Sequence, residues 1–256
     1  HVMGFKRGEV LAYRDTYYGP NNMTIVVAGS VTPSTKTWIE EYFGAGKNGR
    51  SPSRTYRPAM FGPSGKAERI VVEEKKTDQA QLMLGFPGFH HTADENPAMS
   101  IMNTILGGSM SSRLFIEIRE RRGLAYMVRS GSEHFRDTGH VFVRAGLEVK
   151  NIPKAIGLVE KEIEKLVTKG VTVRELKDAK THIHGQVTLS LEDSSTQASW
   201  YGKEALFDKK METPEEKLKK IDRVTRADVQ AVAKRIFDMD ARRVTIIGDI
   251  TKDRVT

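Results

Sequence analysis

The chain contains no cysteine. That absence excludes disulfides and thiolate zinc sites and fits any compartment. Nor is there an apolar run near the roughly 18 residues that a membrane span needs. An integral membrane protein is excluded, and a soluble cytoplasmic or periplasmic protein is expected. No secretory signal pattern opens the sequence. Acidic side chains are the scarcer charge, 33 against 41 lysines and arginines, for a formal net charge of +8. Such an excess raises the question of a nucleic-acid or other anionic partner. The basic residues are spread along the whole chain and interleaved with Asp and Glu, which favours a mixed solvated surface. What remains is a chain of 256 residues, 38% of them apolar. That supports an ample core in one large domain, or in one complete domain plus a piece of another.

Lys6 to Tyr17 reads as a helix, with Val10, Leu11 and Arg14 at helical intervals. A turn of Gly, Pro and Asn follows in YYGPNN. MTIVVAG, Met23 to Gly29, is a β-branched run that predicts a buried strand. TPSTKTWIEEYFG predicts a helix with Thr32 as N-cap, Pro33 at the first helical position and Gly44 as the stop. Residues 44–66 turn rich in Gly, Pro, Ser and Arg and read as an interdomain linker. Beyond it, ERIVVEEKK and AQLMLGFPG predict strands, and NPAMSIMNTILGG predicts a helix with Asn96 as cap. Ser112–Arg122 reads as a helix, and AYMVRSGSEHF and GHVFVRAGLE as strands joined by a turn. Long helices fill Ile152–Lys169 and Val173 to about Leu191. Further helices begin near Ser194, with Gln197 in capping-box spacing, and at Thr225. RRVTIIGDI is a last strand.

The two ends of the chain resemble each other. FKRGEVLAYRDTYYGPNNMTIVVAGSV near the start matches VTRADVQAVAKRIFDMDARRVTIIGDI at the end. Arg7 pairs with Arg226, Val10 with Val229, Ala12 with Ala231, and Tyr17-Tyr18 with Ile236-Phe237. Thr24-Ile25 pairs with Thr245-Ile246 after a small length difference in the turn, and Gly29 pairs with Gly248. The pattern predicts a duplicated unit of about 220 residues. On that reading residues 1–43 are the tail of one copy, and 67–256 hold the next.

Three arginines crowd the segment IRERRGLAYMV. On a regular helix, Leu114, Phe115 and Ile118 form one apolar stripe, with Arg113, Glu117 and Glu120 opposite, towards solvent. Arg122 falls on the stripe side and Arg119 at its border. An arginine at the border of a buried face needs a partner or a wet cleft. Gly123 is a natural residue to end the helix. In the strand behind it, Tyr126, Val128 and Ser130 share a face by alternation. Arg119 and Tyr126 can therefore converge across the turn, or can be a snorkelling arginine and a core tyrosine.

ILGGSMSSRLFIEIRERRGLAYMV closely resembles the second-domain signature of the pitrilysin and mitochondrial-processing-peptidase family, the inverzincins. YYGPNNMTIVVAGSV is similar to that family's motif at the end of the preceding domain, and GFPGFHHTADENPAMSIMNTILGG fits the intervening strand and helix. The resemblance implies tandem α+β domains, each a mostly antiparallel sheet covered by helices. It implies peptide hydrolysis by zinc held on an H-x-x-E-H helix in the first domain. The second domain is then expected to supply Arg119 and Tyr126, which bind the substrate backbone and steady the tetrahedral oxyanion. Gly107 and Gly108 resemble the glycine-rich segment of the family's substrate-recognising subunits. With Arg122 they are the expected substrate contacts.

This sequence has no H-x-x-E-H. His90, His91, Asp94 and Glu95 occur in the wrong order, in a segment that reads as a loop. His182 and His184 point away from each other on a helix, and His134 and His140 flank a turn at the surface. No metal ligand is expected here. Zinc is expected in the full-length protein or in a partner subunit. The expected partners are a peptide substrate and an upstream catalytic domain or zinc-bearing subunit, in a homo- or heterodimer. A non-catalytic scaffold of the same fold is one alternative. A nucleic-acid binder using Arg119, Arg121, Arg122 and Arg129 is another, and the least favoured.

Overall fold

The structure is a computed structural model that describes residues 2–46, 69–207 and 211–254. Its elements in chain order are α1 (Arg7–Tyr17), α2 (Pro33–Ile39), β1 (Ile70–Glu74), β2 (Ala80–Gly88), α3 (Asn96–Asn103), β3 (Ala125–His134), β4 (Gly139–Leu147), α4 (Ile152–Lys169), α5 (Val173–Ser190), α6 (Ser194–Phe207), α7 (Pro214–Arg223), α8 (Arg226–Ile236) and β5 (Arg243–Gly248). The fold is α+β, with a mostly antiparallel sheet, as the sequence implied. From residue 47 onward the expected linker lies outside the described residues. Among the described residues no helix is long and apolar enough to cross a membrane.

The chain divides into two compact units: His1–Arg57 with Thr188–Glu212, and Pro58–Val187 with Thr213–Thr256. The second holds the sheet, in the order β1-β5-β2-β4-β3. Only β1 and β5 run parallel; the other neighbours are antiparallel. The pattern along β2 shows why these residues make a one-sided sheet. Ala80, Leu82, Leu84 and Phe86 are buried, whereas Gln81 and Met83 are exposed. Val141, Val143 and Ala145 of β4 and Val244 and Ile246 of β5 extend the same inner face. Apolar stripes of α3 (Met99, Met102), α4 (Val159, Ile163, Leu166) and α8 (Val229, Val232, Ile236) complete one core with it. Burying each such side chain contributes roughly 1.5–3 kcal/mol. Phe86 and Phe237 meet edge to face, centroids 5.1 Å apart.

Arg113 does not face solvent as its wheel position predicts. Its Nε and Nη2 donate to Glu175 Oε1 and Oε2 at 2.7 and 3.0 Å, and Nη2 also donates to Gly170 O at 3.0 Å. Burial pushes the Glu175 carboxyl up, but hydrogen bonds from Arg113 and Thr172 outweigh it and hold the group below its ordinary range. This forked pair ties the segment entering the arginine helix to the start of α5.

In the first unit, α1 and α2 begin as expected. Thr32 caps α2, with Pro33 inside the first turn. The expected strand Met23–Gly29 does not form. Among the described residues nothing pairs with its backbone as a strand, and Met23, Ile25 and Val27 are exposed. β-branched composition suits a strand but cannot supply the neighbour that its N–H and C=O groups require. Elsewhere in the unit, the buried Glu204 accepts a hydrogen bond from Glu212 N at 3.0 Å.

Candidate functional site

The site is built around a helix that is wider than an α-helix. Phe115–Glu120 is a π-helical turn, and Arg121 N bonds to Ile116 O at 2.9 Å, five residues back. A wider turn shifts every later side chain relative to an α-helical wheel. Leu114 and Ile118 are buried as expected, but Arg122 is not on the stripe side. It is exposed, and its Nη1 donates to Glu117 O at 2.9 Å and to the Glu117 carboxylate. Arg121 donates to the other oxygen of the same carboxylate. Led by the Arg122 hydrogen bond, and against the upward push of burial, this clamp holds the Glu117 carboxyl below the usual range. Two of the three arginines are therefore occupied by one glutamate.

Arg119 is the third. Its guanidinium lies 4.8 Å from the Phe115 ring centroid and 5.5 Å from that of Tyr126. Each such exposed cation–π contact contributes about 0.5–1 kcal/mol, enough to bias the position of a long side chain. A ring attracts the guanidinium charge without giving its N–H groups an oxygen acceptor. Among the described residues no acceptor takes them.

The chain then reverses at Gly123, which has φ of 58°. Gly123 N bonds to Arg119 O at 3.0 Å and Leu124 N to Ile118 O at 2.9 Å, closing the helix end. A residue with a side chain would be strained there. The strand that follows starts with a bulge: Ala125 is opposite Leu147, but Met127 is opposite Gly146. Tyr126 is the extra residue. It therefore does not share a face with Val128 and Ser130, which are buried, and is 76% exposed. A bulge re-aims one side chain without disturbing the strand beyond it. Here it brings the Tyr126 ring beside Arg119.

Gly107 and Gly108 end the π-helical turn Thr104–Gly108 that continues α3. Gly107 is buried against β3: a Cβ there would lie 2.5 Å from Ser130 N. Gly108 is exposed. Ser130 Oγ donates to Asn103 O at 2.8 Å, which fixes the same contact. This packing holds β3 four residues beyond Tyr126. Phe115 and Glu117 are participants that the sequence reading did not single out. Glu117 was findable, because it lies four and five residues before Arg121 and Arg122.

His91 and His140 lie near enough to His134 to act on it electrostatically, but among the described residues the histidines build no metal-ligand group. Glu95 pairs with Arg235, and His184 Nε2 lies 2.8 Å from Asp222 Oδ1. His182 Nε2 is buried without a partner. His134 is half-buried rather than at the surface, with Nδ1 3.0 Å from Phe89 O. Burial chiefly pushes its pKa down. Among the described residues no group of three or more His, Asp or Glu side chains is placed to hold a metal ion. The donor set does not fit zinc.

Fold and site together define a class: an α+β domain that offers an arginine and a tyrosine at an exposed helix–strand turn. More specifically, the chain belongs to the M16 peptidase family, since residues 4–183 match the Peptidase M16 inactive domain. It is 29% identical to the uncharacterized zinc protease YmxG of Bacillus subtilis, over 93% of this chain and 57% of that protein. It is 32% identical to the uncharacterized zinc protease SCO5738 of Streptomyces coelicolor, over 93% of this chain and 52% of that one. The chain thus spans about half the length of these curated relatives. The crystal structure of a peptidase M16 inactive domain from Pseudomonas fluorescens has the same fold. Its TM-score is 0.84 at 22% identity, covering 97% of this chain and 59% of that one.

Proposed function

We propose that this chain forms the substrate-binding wall of a zinc-dependent endopeptidase of the processing-peptidase type. In this reading residues 1–43 close an upstream catalytic-type domain, 44–66 link the two, and 67–256 form the Arg/Tyr domain. Zinc and its H-x-x-E-H helix belong to that upstream domain or to a partner subunit. The supporting observation is the juxtaposition of Arg119 and Tyr126. Both present donors that no acceptor takes among the described residues, and the two side chains lie in cation–π contact with each other.

A peptide carbonyl brought to this corner would accept from the guanidinium and from the phenol. As the carbonyl oxygen becomes an oxyanion, both bonds strengthen. Loss of one such donor costs about 2.7–4 kcal/mol of transition-state stabilisation. Gly108 and Arg122 are exposed and serve in this reading as accessory peptide contacts, Arg122 while bound to Glu117. Gly107 acts through its packing on β3.

The test is kinetic. In an assembly with the zinc-bearing half, Arg119→Ala and Tyr126→Phe are expected to lower kcat by about 10²–10³-fold, with a smaller change in KM. Unchanged kinetics rejects the role. The isolated chain is expected to turn over no peptide. Stoichiometric zinc with turnover there would reject the division of labour.

A further inference from the structure

Outside the Arg119 corner, the open face of the sheet carries a second cationic feature. Arg129 of β3 and Arg144 of β4 are directly opposite each other in the register, and both are exposed. Like charges in that relation destabilise a sheet. Among the described residues neither is paired with a carboxylate; the ring contact recorded for Arg144 is Phe142, 5.9 Å to the centroid. Glu133, on the same strand as Arg129, is turned to His140 instead. The register continues the row across the sheet: Arg144 is opposite Met83, Met83 opposite Thr245, and Thr245 opposite Val71. Met83 and Val71 are exposed. The row therefore reads cation, cation, apolar, hydroxyl, apolar.

We propose that this row is a specificity subsite for a peptide carrying an acidic side chain two positions from a large apolar one. A carboxylate is opposite in charge to both guanidiniums, and its two oxygens can take a bond from each. Strands lie about 4.8 Å apart, so the midpoint of the arginine pair is about 7 Å from the Met83 column. Side chains two apart on one face of an extended peptide are also separated by about 7 Å. A peptide crossing the strands thus places its carboxylate between Arg129 and Arg144 and its apolar side chain on Met83. A nucleic acid would meet the same charges, but the apolar half of the row offers a phosphate backbone nothing. The inference rests on reading this sheet face as peptide-facing.

The test uses the whole chain and two short labelled peptides that differ only by Glu or Gln, each with Leu two positions on. Binding is followed by fluorescence anisotropy. The Glu peptide is expected to bind about tenfold more tightly than the Gln peptide. In Arg129→Gln/Arg144→Gln that preference should vanish, while the melting temperature stays level or rises because a like-charge pair is gone. Equal binding of the two peptides, or no binding of the Glu peptide, overturns the proposal. So does a preference that survives the double substitution. A lower melting temperature would make the pair structural and overturn it too. A single-stranded oligonucleotide that binds more tightly and displaces the peptide reassigns the face to nucleic acid. Failure of the peptidase reading shows elsewhere, as unchanged turnover in Arg119→Ala, and leaves the Glu preference standing.

Discussion

The helix α1 with the segment after it, and α8 with β5, follow one local plan and reach different ends. Both helices run eleven residues from an arginine. At both starts the carboxylate three residues in accepts from the N-cap backbone, Glu9 from Lys6 N and Asp228 from Thr225 N, and at α8 Thr225 Oγ1 also accepts from Asp228 N. Both stop at an aromatic residue with nearly the same backbone, φ −97° and ψ 56° at Tyr18, φ −87° and ψ 56° at Phe237. Both stretches close with the same tight turn, Val31 N to Gly29 O and Ile250 N to Gly248 O, each 2.9 Å. Helix, cap, glycine and turn recur at one spacing, so the length difference needed to pair Thr24 with Thr245 is unnecessary. Yet Val10 is 56% exposed where Val229 is 0% exposed, and Tyr18 is 66% exposed where Phe237 is 6% exposed. β5 lies between β1 and β2; Met23–Gly29 makes no strand. Helix and turn are local properties, whereas a strand is a property of its neighbours. The glycines make the same point. A Cβ at Gly248 would lie 2.7 Å from Ala80 Cβ, while nothing lies within 4 Å of one at Gly29.

The sharpest way to break this comparison is to truncate equivalent side chains. Phe237→Ala removes a buried ring packed on Phe86 and is expected to cost about 3–5 kcal/mol of unfolding free energy. Tyr18→Ala should stay within about 0.5 kcal/mol. Denaturant unfolding of both variants measures the difference, and equal losses would mean that α1 is buried in solution. A smaller effect is expected one turn into each helix. Val229→Ala should cost about 2 kcal/mol and Val10→Ala next to nothing, read from the shift in unfolding midpoint.

The smallest effect is at the α8 cap. Thr225 N and Oγ1 donate to Asp228 Oδ2 at 2.8 and 2.7 Å, and these bonds hold the Asp228 carboxyl below its ordinary range. A carboxyl whose folded pKa is depressed stabilises the fold above its unfolded pKa of about 3.9 and ceases to as pH falls through the folded value. Melting temperatures followed downward through that window should fall less steeply in Asp228→Asn than in the wild type. Identical slopes would remove the cap from the account.

Much of this was legible in sequence. Periodicity placed the strands of the sheet unit and its helices except α7, Pro214–Arg223, because each placed element buries one face and exposes the other. The spacing of Arg119 and Tyr126 singled out the pair once the family resemblance was recognised. What stayed hidden were two departures from regular period. The π-helical turn moved Arg122 out to Glu117, and the bulge moved Tyr126 off the face of Val128. Neither leaves a compositional trace, since each is one residue more than the geometry needs. The failed strand at Met23–Gly29 was hidden for another reason: composition reports what a segment can pair with, not whether a partner is there.

Those two surplus residues set the Arg119–Tyr126 corner by count rather than by identity. Losing one codon for Ile116, Glu117 or Ile118 would spare the arginine, the tyrosine and the glycine between them. It would still return the helix to ordinary pitch and swing the guanidinium off both rings. In mutational terms the corner depends on residue count, and is more vulnerable to a shortened chain than to most exchanges of side chain.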